Sequence, residues 1–312
     1  MKRAIYLLII LFFGVTSCEP YFSGLDIKNE YDPDIETVMG DINQYPSLIG
    51  GAYNNWWHHM LGAYDGDTWI LATNSDAFTA GAGNWNLQVY YYRRGYEKPM
   101  IPNSDKNAGF PRTLWYNHYS KISTVRNMLA TIAEKGMVYK EDNEDRTYKV
   151  LANCYFLMGA FYTELSLLFD QCFLITEDSD IQSITADDIR PASEAQSLAL
   201  SYLDKCIEIC NTHNFTNFSG MMPSDIVGNN VKLRQFANFM AARAIAYHPR
   251  TKQEYSSVDW NRVKKYISDG LAQDVKATLP LQGWDEWSYA AASWPGGNQW
   301  GRVGMRVINM MA

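Results

Sequence analysis

Cysteine and histidine are both scarce, at five each in 312 residues, and what is missing around them narrows the chemistry. Cys206 and Cys210 stand one helical turn apart, but no second pair with metal-ligand spacing accompanies them. They read as buried helix thiols, and no metal or other cofactor is expected. The spacing leaves a Cys154–Cys172 disulfide open. His58 and His59 are adjacent, so on a helix they point about 100° apart and suit one metal poorly. There is no His-Glu-x-x-His, no Gly-x-Ser-x-Gly and no phosphate-binding loop. The acidic pairs Asp65/Asp67 and Asp187/Asp188 read as solvated loop acids, because a glycosidase needs two carboxyls held across a cleft. An enzyme is therefore not expected. Basic residues are outnumbered, 27 against 34 acids for a net charge of −7, and they are scattered. Nucleic acid, which demands a basic stripe, is excluded as a partner. Apart from the first residues, no apolar run approaches the ~20 residues a membrane span requires.

The N-terminus carries the most specific signal. Met1, Lys2 and Arg3 precede the apolar run Ile5 to Phe13, the charged and hydrophobic regions of a secretory signal. The run ends in Gly14-Val15-Thr16-Ser17-Cys18. A small residue before a cysteine, with a branched apolar residue three before it, has the form of a bacterial lipobox. Residues 1–17 are then a signal peptide and Cys18 is the lipidated first residue of the mature chain. The competing reading is an ordinary signal peptide whose cysteine later forms a disulfide. Either way the compartment lies outside the cytoplasm. Residues 18–44 are polar and turn-rich, with Tyr31-Asp32-Pro33-Asp34, and read as an extended tether.

Beyond the tether the spacing predicts helices. Pro46 suits a helix start, and Leu48, Ala52, Trp56 and Met60 recur at four-residue steps. In 113–135, Trp115, Tyr119, Ile122, Val125, Leu129 and Ile132 share a face, and Gly136 stops the helix. After the polar turn Glu141 to Glu144, the stretch 145–169 repeats the stripe through Leu151, Cys154, Met158, Phe161, Leu165 and Leu168. Ser193 with Gln196 reads as a capping box for a helix running to about Asn211, faced by Leu200, Leu203, Ile207 and Cys210. A further helix covers 232–247. Asp259 caps a last one, with Val263, Ile267 and Leu271 on one side. No strand alternation competes. The fold class is all-α, helical hairpins in the loose manner of tetratricopeptide repeats without their strict signature of about 34 residues.

Two stretches break the helical period, and both are aromatic. Residues 62–111 contain Asn84-Trp85-Asn86 and Tyr90-Tyr91-Tyr92. Residues 276–312 contain Trp284, Trp287, Trp294 and Trp300 in Gly/Pro/Asn/Ser-rich sequence. A loop of that length in a compact domain is commonly functional. Ten Trp and 21 Tyr are a high load for a helical protein, and although much of it must simply be core, such numbers suit a surface that stacks on flat or sugar-like ligands. Flat rings pack against the C–H face of pyranoses, while amides and carboxylates take the hydroxyls. Asn84, Trp85, Trp284, Trp287, Trp294 and Trp300 are thus the candidate glycan-binding residues. For each Trp the alternative is an anchor that fixes a long loop to the body.

Read in order, these features resemble the SusD/RagB family of outer-membrane lipoproteins. Cys18 and its tether come first, then Gly51-Ala52-Tyr53. Next is Trp115-Tyr116-Asn117-His118-Tyr119-Ser120-Lys121-Ile122, with Asn127. The helix Ala152 to Phe169 follows, then the Ala-rich helix with Ala237, Ala241, Ala242, Arg243 and Ala244, and finally Trp260. The resemblance covers nearly the whole chain, and its weight lies in the order. It implies a non-enzymatic lipoprotein anchored in the cell outer membrane and exposed at the surface. Such a protein holds an oligosaccharide or polysaccharide, or in some branches a peptide, for a SusC-like TonB-dependent transporter. It further implies a repeat domain over 45–275, including loop 62–111, with 276–312 beginning an incomplete C-terminal portion, because family members are usually much longer. Only Glu19 supplies an early acid after Cys18, a departure from the family's surface-export signal. Peptide or other nutrient capture, and a repeat scaffold that binds only protein, are the alternative functions.

Overall fold

The computed structural model describes residues 35–58, 75, 78–80, 109–221, 224–274, 301–303 and 305–311. The chain divides into two units, Met1–Asp41 and Ile42–Ala312. In the first, α1 (Ile35–Met39) places a helical turn where an extended tether was expected. The second is all-α, and among its described residues strands occur only as short two-stranded ladders.

Helix α2 (Tyr45–Trp57) carries Pro46 in its first turn, where a missing N–H costs nothing. It buries Tyr45, Ile49, Ala52, Tyr53 and Trp56, one face at steps of three and four. α3 (Gly109–Lys135) buries Ile122, Val125, Met128 and Leu129 and ends at Gly136, whose φ of +59° only glycine adopts without cost. Met137 N–H then donates to the Ile132 carbonyl at 3.3 Å, closing the helix in a Schellman-type turn. The expected polar turn after it is a hairpin of β2 (Lys140–Glu141) and β3 (Glu144–Asp145). Asp142 and Asn143 both sit at positive φ, 53° and 63°, the primed turn that matches strand twist.

α4 (Thr147–Leu168) is the central helix. A single stripe was expected on it, yet it is buried on nearly every side from Ala152 to Ser166, while Leu151 and Leu168 are only half-buried. The reason is its neighbours: it packs against α2 and α3, and against α5 (Ala192–Thr212) and α7 (Asn230–Ala246), with the short α6 (Ser224–Val227) between those two in sequence. Near the start of α4, Tyr148 stacks on His213 just past the end of α5, with ring centroids 4.1 Å apart. Past its other end, Phe169 meets Trp115 early in α3 at 5.0 Å. Arg234 in the first turns of α7 reaches Asn211 at the end of α5 at 2.7 Å. Neighbouring helices therefore run antiparallel.

The expected Ser193/Gln196 capping box does not form. β5 (Ile189–Pro191), paired with β4 (Gln171–Phe173), runs directly into α5. The Ala192 N–H is satisfied by the Asp170 carbonyl at 2.9 Å, and Gln196 instead donates to the Ala244 carbonyl at 2.8 Å. Asn229 caps α7 by accepting from Lys232 N–H. A short helix, α8 (Lys252–Ser256), follows, opened by a Thr251/Glu254 capping box that the sequence reading missed. Asp259 caps α9 (Trp260–Asp269), accepting from Asn261 and Arg262 N–H at 3.1 and 3.0 Å. α9 buries Val263 and Tyr266, not the expected side through Ile267, which is 62% exposed. Near the end of the sequence come β6 (Gly301–Val303) and α10 (Met305–Met311). β6 pairs antiparallel with β1 (Phe78–Ala80).

Candidate functional site

Cys18, Asn84, Trp85, Trp284, Trp287, Trp294 and Trp300 all lie outside the described residues, as do His59, Asp65 and Asp67. The ladder between β1 and β6 nonetheless bears on them. Its register sets Phe78 opposite Val303, Thr79 opposite Arg302 and Ala80 opposite Gly301. Ala80 precedes Asn84 by four residues, and Gly301 directly follows Trp300. The backbones from which the two aromatic stretches depart are therefore hydrogen-bonded neighbours, although one lies early in the sequence and the other near its end.

A second surface is described in full. The hairpin and first turn of α4 face the segment 214–217 and the start of α7 across a cleft of about 670 Å³, lined by Glu141, Arg146, Lys149, Asn214, Phe215, Thr216, Asn217, Asn229, Asn230 and Val231. That is within the usual range for small-ligand pockets, roughly 300–1,000 Å³. Lys149 is almost wholly buried. Its ammonium sits 3.0 Å from Glu141 Oε1 and 4.3 Å from the centroid of the Phe218 ring, so its charge is neutralised in place. Arg146 donates to the Tyr148 hydroxyl at 2.6 Å and to Glu144.

The asparagines of this cleft are held rigidly from behind. Asn153 and Asn217 exchange side-chain amide hydrogen bonds at 2.9 and 3.0 Å. Tyr53 donates to Asn153 Oδ1 at 2.8 Å, and Asn217 donates to the Val227 carbonyl at 2.8 Å. Asn230 donates to the Cys210 carbonyl at 3.0 Å and to Asn214 Oδ1 at 3.3 Å. A buried amide network of this kind is stable because its members satisfy one another. Through Asn230 it also fixes the exposed Asn214 amide at the rim, while the Asn229 oxygen caps α7. Donors and acceptors of both signs converge here with little net charge, an arrangement that matches a hydroxyl-rich ligand better than an ion. The sequence reading missed this cleft. Its only signal was the asparagine clustering in 211–217 and 229–230, which by itself marks caps and turns.

The residues that carried the family resemblance in α3 have a different role. Trp115 packs at 4.9 Å from Tyr119 and edge-on to Phe169 and Phe173. The Tyr119 hydroxyl donates to the Phe173 carbonyl and accepts from its N–H, at 3.0 and 2.7 Å. Tyr162 binds Ile175 in the same two-way manner, at 2.7 and 2.6 Å. Arg126 donates to the carbonyls of Thr176, Glu177 and Ser179 at 2.9, 3.0 and 2.8 Å. Together these clamp the connection 173–179 onto the helices. His118 is buried against Phe161, and loss of hydration pulls its pKa down to about 4.

Cys154, Cys172, Cys206 and Cys210 are all buried free thiols, so the Cys154–Cys172 disulfide left open by the spacing is not formed. Burial pushes the Cys172 thiol up to about 11 and raises Cys154 and Cys206 as well. At neutral pH these are packing groups rather than nucleophilic thiolates. Asp188 is a cap, accepting from Thr185 N–H and hydroxyl at 2.8 and 2.9 Å. Among the described residues no helix is long and apolar enough to cross a membrane. No protein-family model matches this chain, and no curated protein matches it.

Proposed function

We propose that this protein is a surface lipoprotein of the SusD/RagB kind that captures an oligosaccharide or polysaccharide and hands it to a SusC-like TonB-dependent transporter. Its body is a tetratricopeptide-like scaffold held to the outer membrane through Cys18. The observation that carries the reading is the β1–β6 ladder. It brings the stems of the two aromatic stretches together, as a single binding surface built from Asn84, Trp85 and the C-terminal tryptophans requires. Rigid helices carrying binding groups on their connections are the usual division of labour. The asparagine cleft supports a hydroxylated ligand, since it offers amide donors and acceptors together beside Phe215.

The test is retention of the chain on a panel of soluble polysaccharides in affinity gels, for the parent and for Trp85→Ala and Trp300→Ala. A stacking tryptophan lost from the site weakens binding by about 10-fold or more while melting is unchanged. Two results refute the reading: no polysaccharide retards the parent, or the tryptophan variants lose stability and none selectively loses binding. Membrane fractionation of Cys18→Ala checks the anchor independently of ligand. The substituted chain leaves the lipidated fraction, and unchanged acylation or pelleting would refute lipidation at Cys18.

A further inference from the structure

The hydrogen bonds of the asparagine cleft fix which atom each rim amide turns outward. Asn230 accepts from Phe215 N–H at 3.3 Å and donates to the Cys210 carbonyl at 3.0 Å. Backbone on both sides thus fixes its oxygen and its nitrogen. The same nitrogen donates to Asn214 Oδ1 at 3.3 Å, which leaves the Asn214 nitrogen for the cleft. Asn229 is oriented likewise, because its oxygen accepts from Lys232 N–H at 2.9 Å. Exposure alternates along 214–217: Asn214 and Thr216 face out, Phe215 and Asn217 in. An antiparallel bridge sets Thr216 opposite Asn229, so these side chains share one edge. Among the described residues, nothing takes the side-chain N–H groups of Asn214 and Asn229 or the Thr216 hydroxyl. Glu141, the one carboxylate lining the cleft, is held by Lys149 through both oxygens, at 3.0 and 3.1 Å. Val231, in the first turn of α7, lines the same cleft and is 41% exposed.

We propose that this cleft is a subsite for a sugar that bears an acetamido group, a 2-acetamido hexose within the captured glycan. It rests on the glycan-capture reading and adds to it the class of sugar and a second place on the body that holds it. An acetamido group is a carbonyl acceptor with a methyl beside it. Outward amide N–H donors receive the oxygen, and an exposed valine receives the methyl. A plain hydroxyl at the same ring position would use only the polar half of that edge. The group is uncharged, so it suits a cleft whose lysine and glutamate already neutralise each other. The Thr216 hydroxyl, donor and acceptor at once, is left for a ring hydroxyl.

The test is isothermal titration of the full-length chain carrying Cys18→Ala with N,N′-diacetylchitobiose and with cellobiose. The two disaccharides share their linkage and ring form and differ only in the acetamido groups. Diacetylchitobiose binds more tightly by about 10-fold, the worth of one amide hydrogen bond with its methyl contact. Asn214→Asp keeps the oxygen that Asn230 holds and removes only the outward N–H donor. It weakens diacetylchitobiose by about 10-fold with melting unchanged. Val231→Ser, at an exposed position, narrows the preference over cellobiose several-fold. Equal or absent affinity for the two disaccharides overturns the assignment. So does parental binding by Asn214→Asp, or a blocked dipeptide, N-acetylalanine methylamide, bound as tightly as diacetylchitobiose. Retention on polysaccharide gels and its dependence on Trp85 and Trp300 are read independently. Failure of the cleft and failure of glycan capture are therefore told apart.

Discussion

Gly159→Ala is the sharpest test of how the helices pack. Gly159 lies in the middle of α4, where alanine is ordinarily favoured over glycine by about 0.5–1 kcal/mol because it restrains the unfolded chain. Here α5 is too close. A Cβ at this position falls 2.6 Å from Leu203 Cγ, 2.8 Å from Leu203 Cδ2 and 3.1 Å from the Ala199 carbonyl oxygen. Leu203 is fully buried and cannot swing into solvent, and the Ala199 oxygen is backbone, so one helix must move. Overpacking of this sort costs about 1–3 kcal/mol, which exceeds the propensity gain and leaves a net loss of about 1–2 kcal/mol. Urea unfolding at constant m-value measures it. The clash also predicts coupling. Leu203→Ala alone costs about 2–5 kcal/mol through the cavity it leaves, but in the double variant the new methyl partly fills that cavity. The double variant is then more stable than the sum of the singles by about 1–2 kcal/mol. Gly159→Ala at or above parental stability, or strictly additive singles, would show that α4 and α5 do not approach as described.

Two further outcomes follow from buried charge. His118 has its pKa lowered from 6.5 to about 4, so the unfolded chain binds a proton between those values that the folded chain does not. Stability is therefore full above about pH 6.5 and falls as pH drops toward 4, by about 3 kcal/mol in total. His118→Gln should flatten that part of a denaturant-derived stability profile, and an unchanged slope would assign the loss elsewhere. Glu164, whose side chain is 2% exposed, pairs with Arg243 at 2.6 Å. Glu164→Ala should cost about 1.5–3 kcal/mol, because the part-buried Arg243 guanidinium loses this carboxylate. The double change Glu164→Leu/Arg243→Met should recover most of it, and a double variant as unstable as Glu164→Ala would contradict this.

Much of the helical framework was legible because its signals are local. Asp259 reads as an N-cap and acts as one, and Gly136 stops α3 because the next turn needs positive φ. The stripe Ile122, Val125, Leu129 and Ile132 is buried as its spacing implies. The failures share a different cause. Ser193 and Gln196 have the residues of a capping box, but a strand pair had already satisfied the first N–H of α5. The stripe on 145–169 understated burial, because periodicity counts apolar residues on one helix and not the helices around it. On α9, Ile267 fits the apolar period as well as Tyr266 does. The structure buries Tyr266, which donates to Asp204 at 2.6 Å.

The sequence by itself thus determined most of the helices and where the helical period breaks, since each depends on neighbours within a turn or two of chain. Only the tertiary structure decided which stretches meet. The pairing of Phe78–Ala80 with Gly301–Val303 and the asparagine cleft between α4 and α7 both depend on partners distant in sequence. A residue's spacing fixes the side of its helix, but the identity of what covers that side is set by packing across the fold.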